Sequence, residues 1–245
     1  MVACKRQGLV APKGSAHLDC ILIVAERTFD SGHKDKAVSL AATVHNNLPD
    51  KTVADDINYF AFCTGIFRRD PPDYDKLLLY ADSLITVIEK NKLSTVIADR
   101  YIMGLNRKAD ALFAKGQYTD AYGYYYKAKK NAKENGDSCS LSNYSHSLGM
   151  ALYKQQKYID AAKRFMESYS ESAGCPDDFT RFYHRQELFD NIGLSYTHSH
   201  QYDSAMVYYQ KALALINENK KNTTKMKSTL FRLLLSLSAI WPTFI

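Results

Sequence analysis

Histidines 198 and 200, separated by Ser199, are the one closely spaced histidine pair in the 245 residues. On a helix, side chains two apart point in different directions, so the pair chelates a metal poorly and reads as a solvated turn. The five cysteines, Cys4, Cys20, Cys63, Cys139 and Cys175, are odd in number and far apart, and no two have CxxC spacing. They imply free thiols, not a zinc site, redox motif or disulfide framework. Asp55-Asp56 and Asp177-Asp178 have the character of acids at helix N-termini, where the macrodipole favours them. Lys127, Lys129, Lys130 and Lys133 follow YGYYY. Interleaved aromatics and lysines can grip nucleic acid, but on a tyrosine-packed helix the lysines simply form a solvated face, and that is the expected arrangement. The chain has no GxSxG, P-loop, GxGxxG or HExxH. The residues therefore predict no catalytic group, no metal and no cofactor: not an enzyme.

Composition says what elements hold these residues. Apolar residues make up 46% of the chain, with eleven Gly and six Pro. That supplies a core and too few turns for a β-sandwich or barrel, which favours long helices. The net charge of +6 is spread over 32 basic and 26 acidic residues, too diffuse to imply a nucleic-acid partner.

The sequence repeats itself. GQYTDAYGYYYKA, QQKYIDAAKRFMES and SHQYDSAMVYYQKA share a turn, a Tyr, an acid, an Ala and an aromatic four residues later. Twelve positions before the Ala stands a small residue: Ala109 before Ala121, Gly149 before Ala161, Gly193 before Ala205. Two weaker copies place Ala25 before Ala37 and Gly65 before Leu77. The slot three residues before the second anchor reads Lys34, Tyr74, Tyr118, Tyr158 and Tyr202, and successive copies step by 40, 44, 40 and 44 residues. Apolar positions at three and four within each unit predict a helix–turn–helix. Small residues permit close approach, so the paired anchors predict where two helices cross. NNLPD (46–50), ENGDS (134–138) and SAGCPDD (172–178) carry stop and start signals between units, and Pro71 and Pro72 fall in the turn inside the second.

The small residue, Tyr and Ala at these spacings resemble the tetratricopeptide repeat, a helical-hairpin unit of 34 residues. The resemblance covers residues 18–217 and departs in its 40–44-residue spacing, in lacking the first-helix Trp, and in missing the closing Pro after Ala128 and Ala212. The excess length is assigned to second helices or linkers. The resemblance implies an all-α, right-handed superhelical solenoid of about five hairpins, flanked by a flexible tail (1–17) and a C-terminal segment (218–245). Its concave face, lined by first helices, would bind a protein or peptide. The side chains predicted there are Tyr59, Phe62 and Ile66; Met103, Asn106, Asp110 and Phe113; Asn143, His146, Met150 and Tyr153; and Glu187, Asp190, Leu194 and Thr197. The long, Tyr-rich repeats are also similar to the repeat regions of bacterial envelope sensor kinases, which implies the alternative of a sensory portion whose catalytic part lies elsewhere.

Both ends bear on location. The tail from Thr229, TLFRLLLSLSAIWPTFI, is a capping helix, the start of a truncated membrane span, or an artefactual end. Met1-Val2-Ala3-Cys4 resembles the end of a lipoprotein signal without its apolar region. Lipid attachment at Cys4 would put the protein in a bacterial cell envelope, with Lys5–Gly14 as tether. Otherwise the chain is cytoplasmic.

Overall fold

The structure, a computed structural model, describes residues 12–69, 71–136, 138–174 and 184–218. Among them are ten α-helices and no strand: α1 (Ala16–Asp30), α2 (Lys34–Asn46), α3 (Val53–Arg68), α4 (Tyr74–Lys90), α5 (Ala98–Ala114), α6 (Tyr118–Glu134), α7 (Ser138–Lys154), α8 (Tyr158–Glu171), α9 (Arg185–His198) and α10 (Tyr202–Glu218). They make five hairpins, and all five second helices begin at the residue of the repeating tyrosine slot. The anchor three residues on is one turn inside: the amide N–H of Ala37, Ala121, Ala161 and Ala205 donates to the carbonyl of the residue preceding the helix. The added length lies partly in first helices of 14 to 17 residues, not only in second helices and linkers.

Four hairpin turns share one geometry. Gly32, Gly116, Gln156 and His200 have φ of 89°, 78°, 62° and 59°. Around each, the left-handed residue donates to the carbonyl three back and its successor to the carbonyl five back, as in Gln156 to Tyr153 (2.9 Å) and Lys157 to Leu152 (3.0 Å). This closes the helix and reverses the chain within three residues. The second hairpin turns differently, through Pro71 and Pro72, with Asp73 donating to Phe67 and capping α4 through its carboxylate.

In the last two hairpins the aromatic four residues after the anchor explains the small residue on the first helix. A Cβ placed on Gly149 would lie 2.5 Å from the Phe165 ring, and one on Gly193 would lie 2.6 Å from Tyr209. Both rings are completely buried, as are Ala109, Ala121, Ala161 and Ala205. The glycines thus sit beneath rings sixteen residues later, not against the alanine twelve later. Gly65 departs from the expected packing role altogether. Its counterpart sixteen on is Ala81, which has no ring, and a Cβ on Gly65 would meet nothing within 4 Å. The close approach missing from the predicted set is Gly104, whose Cβ would lie 3.2 Å from Ile85 and 3.3 Å from Leu84 of α4.

The chain divides into two compact units, residues 1–131 and 132–245. In the first, Leu18, Ala25, Ala37, Ala41, Tyr59, Cys63, Phe67 and Leu77 of the first two hairpins and Ala111 of α5 form a core cluster. Ile57, Ala61, Leu84, Ile88 and Leu93 continue it toward α5. The start of α3 carries a capping box in which Thr52 and Asp55 exchange bonds. Asp55 is fully buried and also accepts from the Ser15 amide (2.6 Å), tying the segment before α1 to α3. Burial disfavours its charge, but donation from Ser15 and from the Thr52 hydroxyl and amide outweighs that and holds the carboxyl below the usual range.

Candidate functional site

In the first unit, α1, α3 and α5 border a groove of about 480 Å³. Leu22 and Ile23 of α1 and Phe62 of α3 supply its apolar surface, Gly65 forms a wall without a side chain, and Ile66, predicted on the accessible strip, lies beneath it at 1% exposure. Asp19, Glu26, Asn58 and Arg100 add polar groups. Asn58 donates to Asp19 at 3.0 Å, and Glu26 is held by Arg69 at 2.6 Å, with Asp30 on the other guanidinium nitrogen at 2.8 Å. Ile23 is 54% exposed, so the groove has an anchor available to a partner.

The predicted strip divides when its residues are placed. Phe62 is in the groove. Tyr59 is not: it is 6% exposed, stacked on His45 at 4.0 Å and set edge-on to Tyr80, because the helix turns it toward α2 and α4. Burial raises its phenol, and the neighbouring Cys63 thiol is raised to about 12. Met103 is half-buried against the α3–α4 cluster, Asn106 is half-buried, and Phe113 packs edge-on to Tyr118. Asp110 accepts from the Tyr125 hydroxyl at 2.9 Å, and its burial raises the carboxyl.

In the second unit, Asn143 and Glu187 are exposed and Met150 and Leu194 half-buried. His146 lies 3.1 Å from the Asn191 amide nitrogen and 3.9 Å from Glu187. Tyr153 packs edge-on to Tyr158 and His198. Asp190 is 7% exposed, a correction to its place on an accessible strip: position 190 of α9 faces inward. Thr197 donates to Gly193 and meets the Tyr209 hydroxyl at 3.2 Å.

One polar cluster escaped sequence reasoning. Ser142 of α7, Ser168 of α8 and His184 at the start of α9 meet with hydroxyl-to-Nε2 distances of 3.0 and 3.2 Å. Ser168 also donates to the Ser142 carbonyl at 2.7 Å. Both serines are buried, and the cluster joins three helices. The His184 ring lies 5.4 Å from that of His146. Burial lowers His146 to about 4; burial, then the neighbouring His146, lowers His184 to about 4.

The other chemistry-bearing residues are also accounted for. His198 stacks on Tyr158 at 5.0 Å, and His200 bonds the Tyr202 hydroxyl. No group of His, Cys, Asp or Glu among the described residues could hold a metal ion. Asp56 pairs with His45 at 2.8 Å. Lys129 is 9% exposed, so the lysine cluster is not one solvated face, while Lys127 lies 5.2 Å over the Tyr124 ring. Cys20 and Cys63 are free thiols. Cys4, Cys175, Asp177-Asp178 and the tail from Thr229 lie outside the described residues. No described helix is long and apolar enough to cross a membrane.

No protein-family model matches the sequence, and no curated protein matches it. Solved structures do match the fold. BtubC (BKLC) from P. vanneervenii superposes with a TM-score of 0.71 at 16% identity, over 84% of this chain and 82% of that one. The nearly identical tetratricopeptide-like repeats of a putative kinesin light chain from Podosopora anserina give 0.67 at 13% identity, over 84% and 97%. The apo form of RapI gives 0.69 at 11% identity, over 91% and 84%. With five hairpins, a repeating tyrosine slot and these structural neighbours, the chain has the tetratricopeptide-type helical-repeat fold.

Proposed function

We propose that the protein is a non-enzymatic interaction scaffold that holds a peptide or partner helix in the groove between α1, α3 and α5. The observation that carries this reading is the groove itself. Two first helices, α1 and α3, present Leu22, Ile23 and Phe62, α5 adds Arg100, and Gly65 forms one wall without a side chain. An apolar surface with fixed polar neighbours suits a segment that buries side chains and is held in register by its charges. The likeness to tetratricopeptide-type repeats supports the same reading, since helical repeats stack into extended binding surfaces.

The test begins with a pull-down from the native host and the identification of a direct partner. Gly65→Leu fills the groove at a position with free space, and Phe62→Ala removes an apolar contact. Each should weaken the partner at least tenfold in calorimetric titration, with the helical circular dichroism of the protein retained. Undiminished binding to both variants overturns the groove as the site.

A further inference from the structure

On the second unit, α8, α9 and α10 border a cleft of about 390 Å³ walled by Met166, Tyr169, Phe189, Tyr208 and Leu215. The Tyr208 hydroxyl spans it to the Met166 sulfur at 3.2 Å. Two cations lie over its rings. The Arg185 guanidinium is 5.1 Å from the Tyr169 centroid, and Lys211 Nζ is 4.6 Å from Tyr208 and 6.0 Å from Phe189. Arg185 also donates to the Ser172 hydroxyl at 3.0 Å. Among the described residues neither cation has a carboxylate partner within 4 Å. The acids of α8 are engaged elsewhere: Asp160 with Lys163, Glu167 with Arg164, and Glu171 with Ser145. Glu187 of α9 lies 3.9 Å from His146.

We propose that this cleft is a second docking surface, for an amphipathic peptide segment whose apolar side chains are flanked by aspartate or glutamate. The aromatic walls and the Met166 thioether offer an adaptable apolar seat. Cations held over aromatic faces remain able to accept a carboxylate, and opposite charge at the rim would set register and speed encounter. The site is distinct from the α1–α3–α5 groove in its helices and in its charge.

The test uses the full chain and an array of 15-residue peptides carrying a Leu-Phe cluster flanked by Glu, with matched series flanked by Gln and by Lys. The Glu series should bind at least tenfold more tightly than the Lys series, with the Gln series between. Lys211→Glu and Arg185→Glu should reverse that order, Lys211→Gln should weaken it, and Ala214→Trp should block every series by filling the cleft. The Gly65→Leu variant should bind as the unmodified chain does, which separates this surface from the other groove. Photo-crosslinking from p-benzoylphenylalanine at position 207, one turn before Lys211, should label the Glu peptide. Equal binding of all series, indifference to Lys211→Glu with an unchanged melting temperature, or adducts only to residues 229–245 or to a second copy of the chain would overturn the proposal.

Discussion

A methyl group added at Gly149 would lie 2.5 Å from Phe165, whereas the same group at Gly65 would meet nothing within 4 Å. Gly149→Ala and Gly193→Ala should each destabilise by about 1–3 kcal/mol in urea melts, because a packed ring must move. Gly65→Ala should instead stabilise by about 0.5–1 kcal/mol, since alanine is the better helix former and nothing is displaced. The sequence displayed the small residue, the anchor and the aromatic, but not which of the last two the small residue faces. That depends on how each helix is rotated about its axis. The same blindness put Tyr59, Ile66 and Asp190 on the accessible strip: all three lie on first helices at plausible spacing, yet all are turned inward.

Helix ends were the most legible elements, since Tyr slots, glycines and prolines act through local geometry. Gln156 holds a left-handed conformation that Gly32 and Gly116 hold in sister hairpins. Gln156→Gly should raise stability by about 0.5–1 kcal/mol, read from the denaturation midpoint, by relieving the cost of φ near +60°. The Thr52–Asp55 cap serves two elements, so Asp55→Ala should cost about 1–3 kcal/mol and speed amide exchange in both the Ser15 region and the first turn of α3. What the sequence did not disclose is the joint between α7, α8 and α9. Ser142, Ser168 and His184 read as ordinary polar residues, because two of the three contacts cross more than 25 positions of chain.

Over the whole molecule, circular dichroism should report a predominantly helical protein. Its two units should respond differently to acid. His146 and His184 titrate near 4 in the folded protein, below the ordinary value near 6.5, so the unfolded chain binds more protons between those values. Stability is therefore lost as pH falls from about 6.5 toward 4. Between pH 7 and 5 the loss should be about 1–2 kcal/mol per histidine. Hydrogen exchange should show it in α7–α9, and the double variant His146→Gln, His184→Gln should flatten the pH slope even if its absolute stability is lower. Asp55, held below the usual carboxylate range, contributes stability that disappears only at still lower pH, so α1–α3 should retain protection at pH 5. The hairpin turns have a further consequence. Four of them reverse the chain through one left-handed residue and a fixed pair of backbone bonds, while the links between hairpins differ in length. Phase is set inside each pair of helices and tolerated to vary between pairs. A foreign sequence spliced between Pro49 and Asp50, both exposed, should leave every ring seated over its glycine, whereas the same graft at Gly116 would put α5 and α6 out of step.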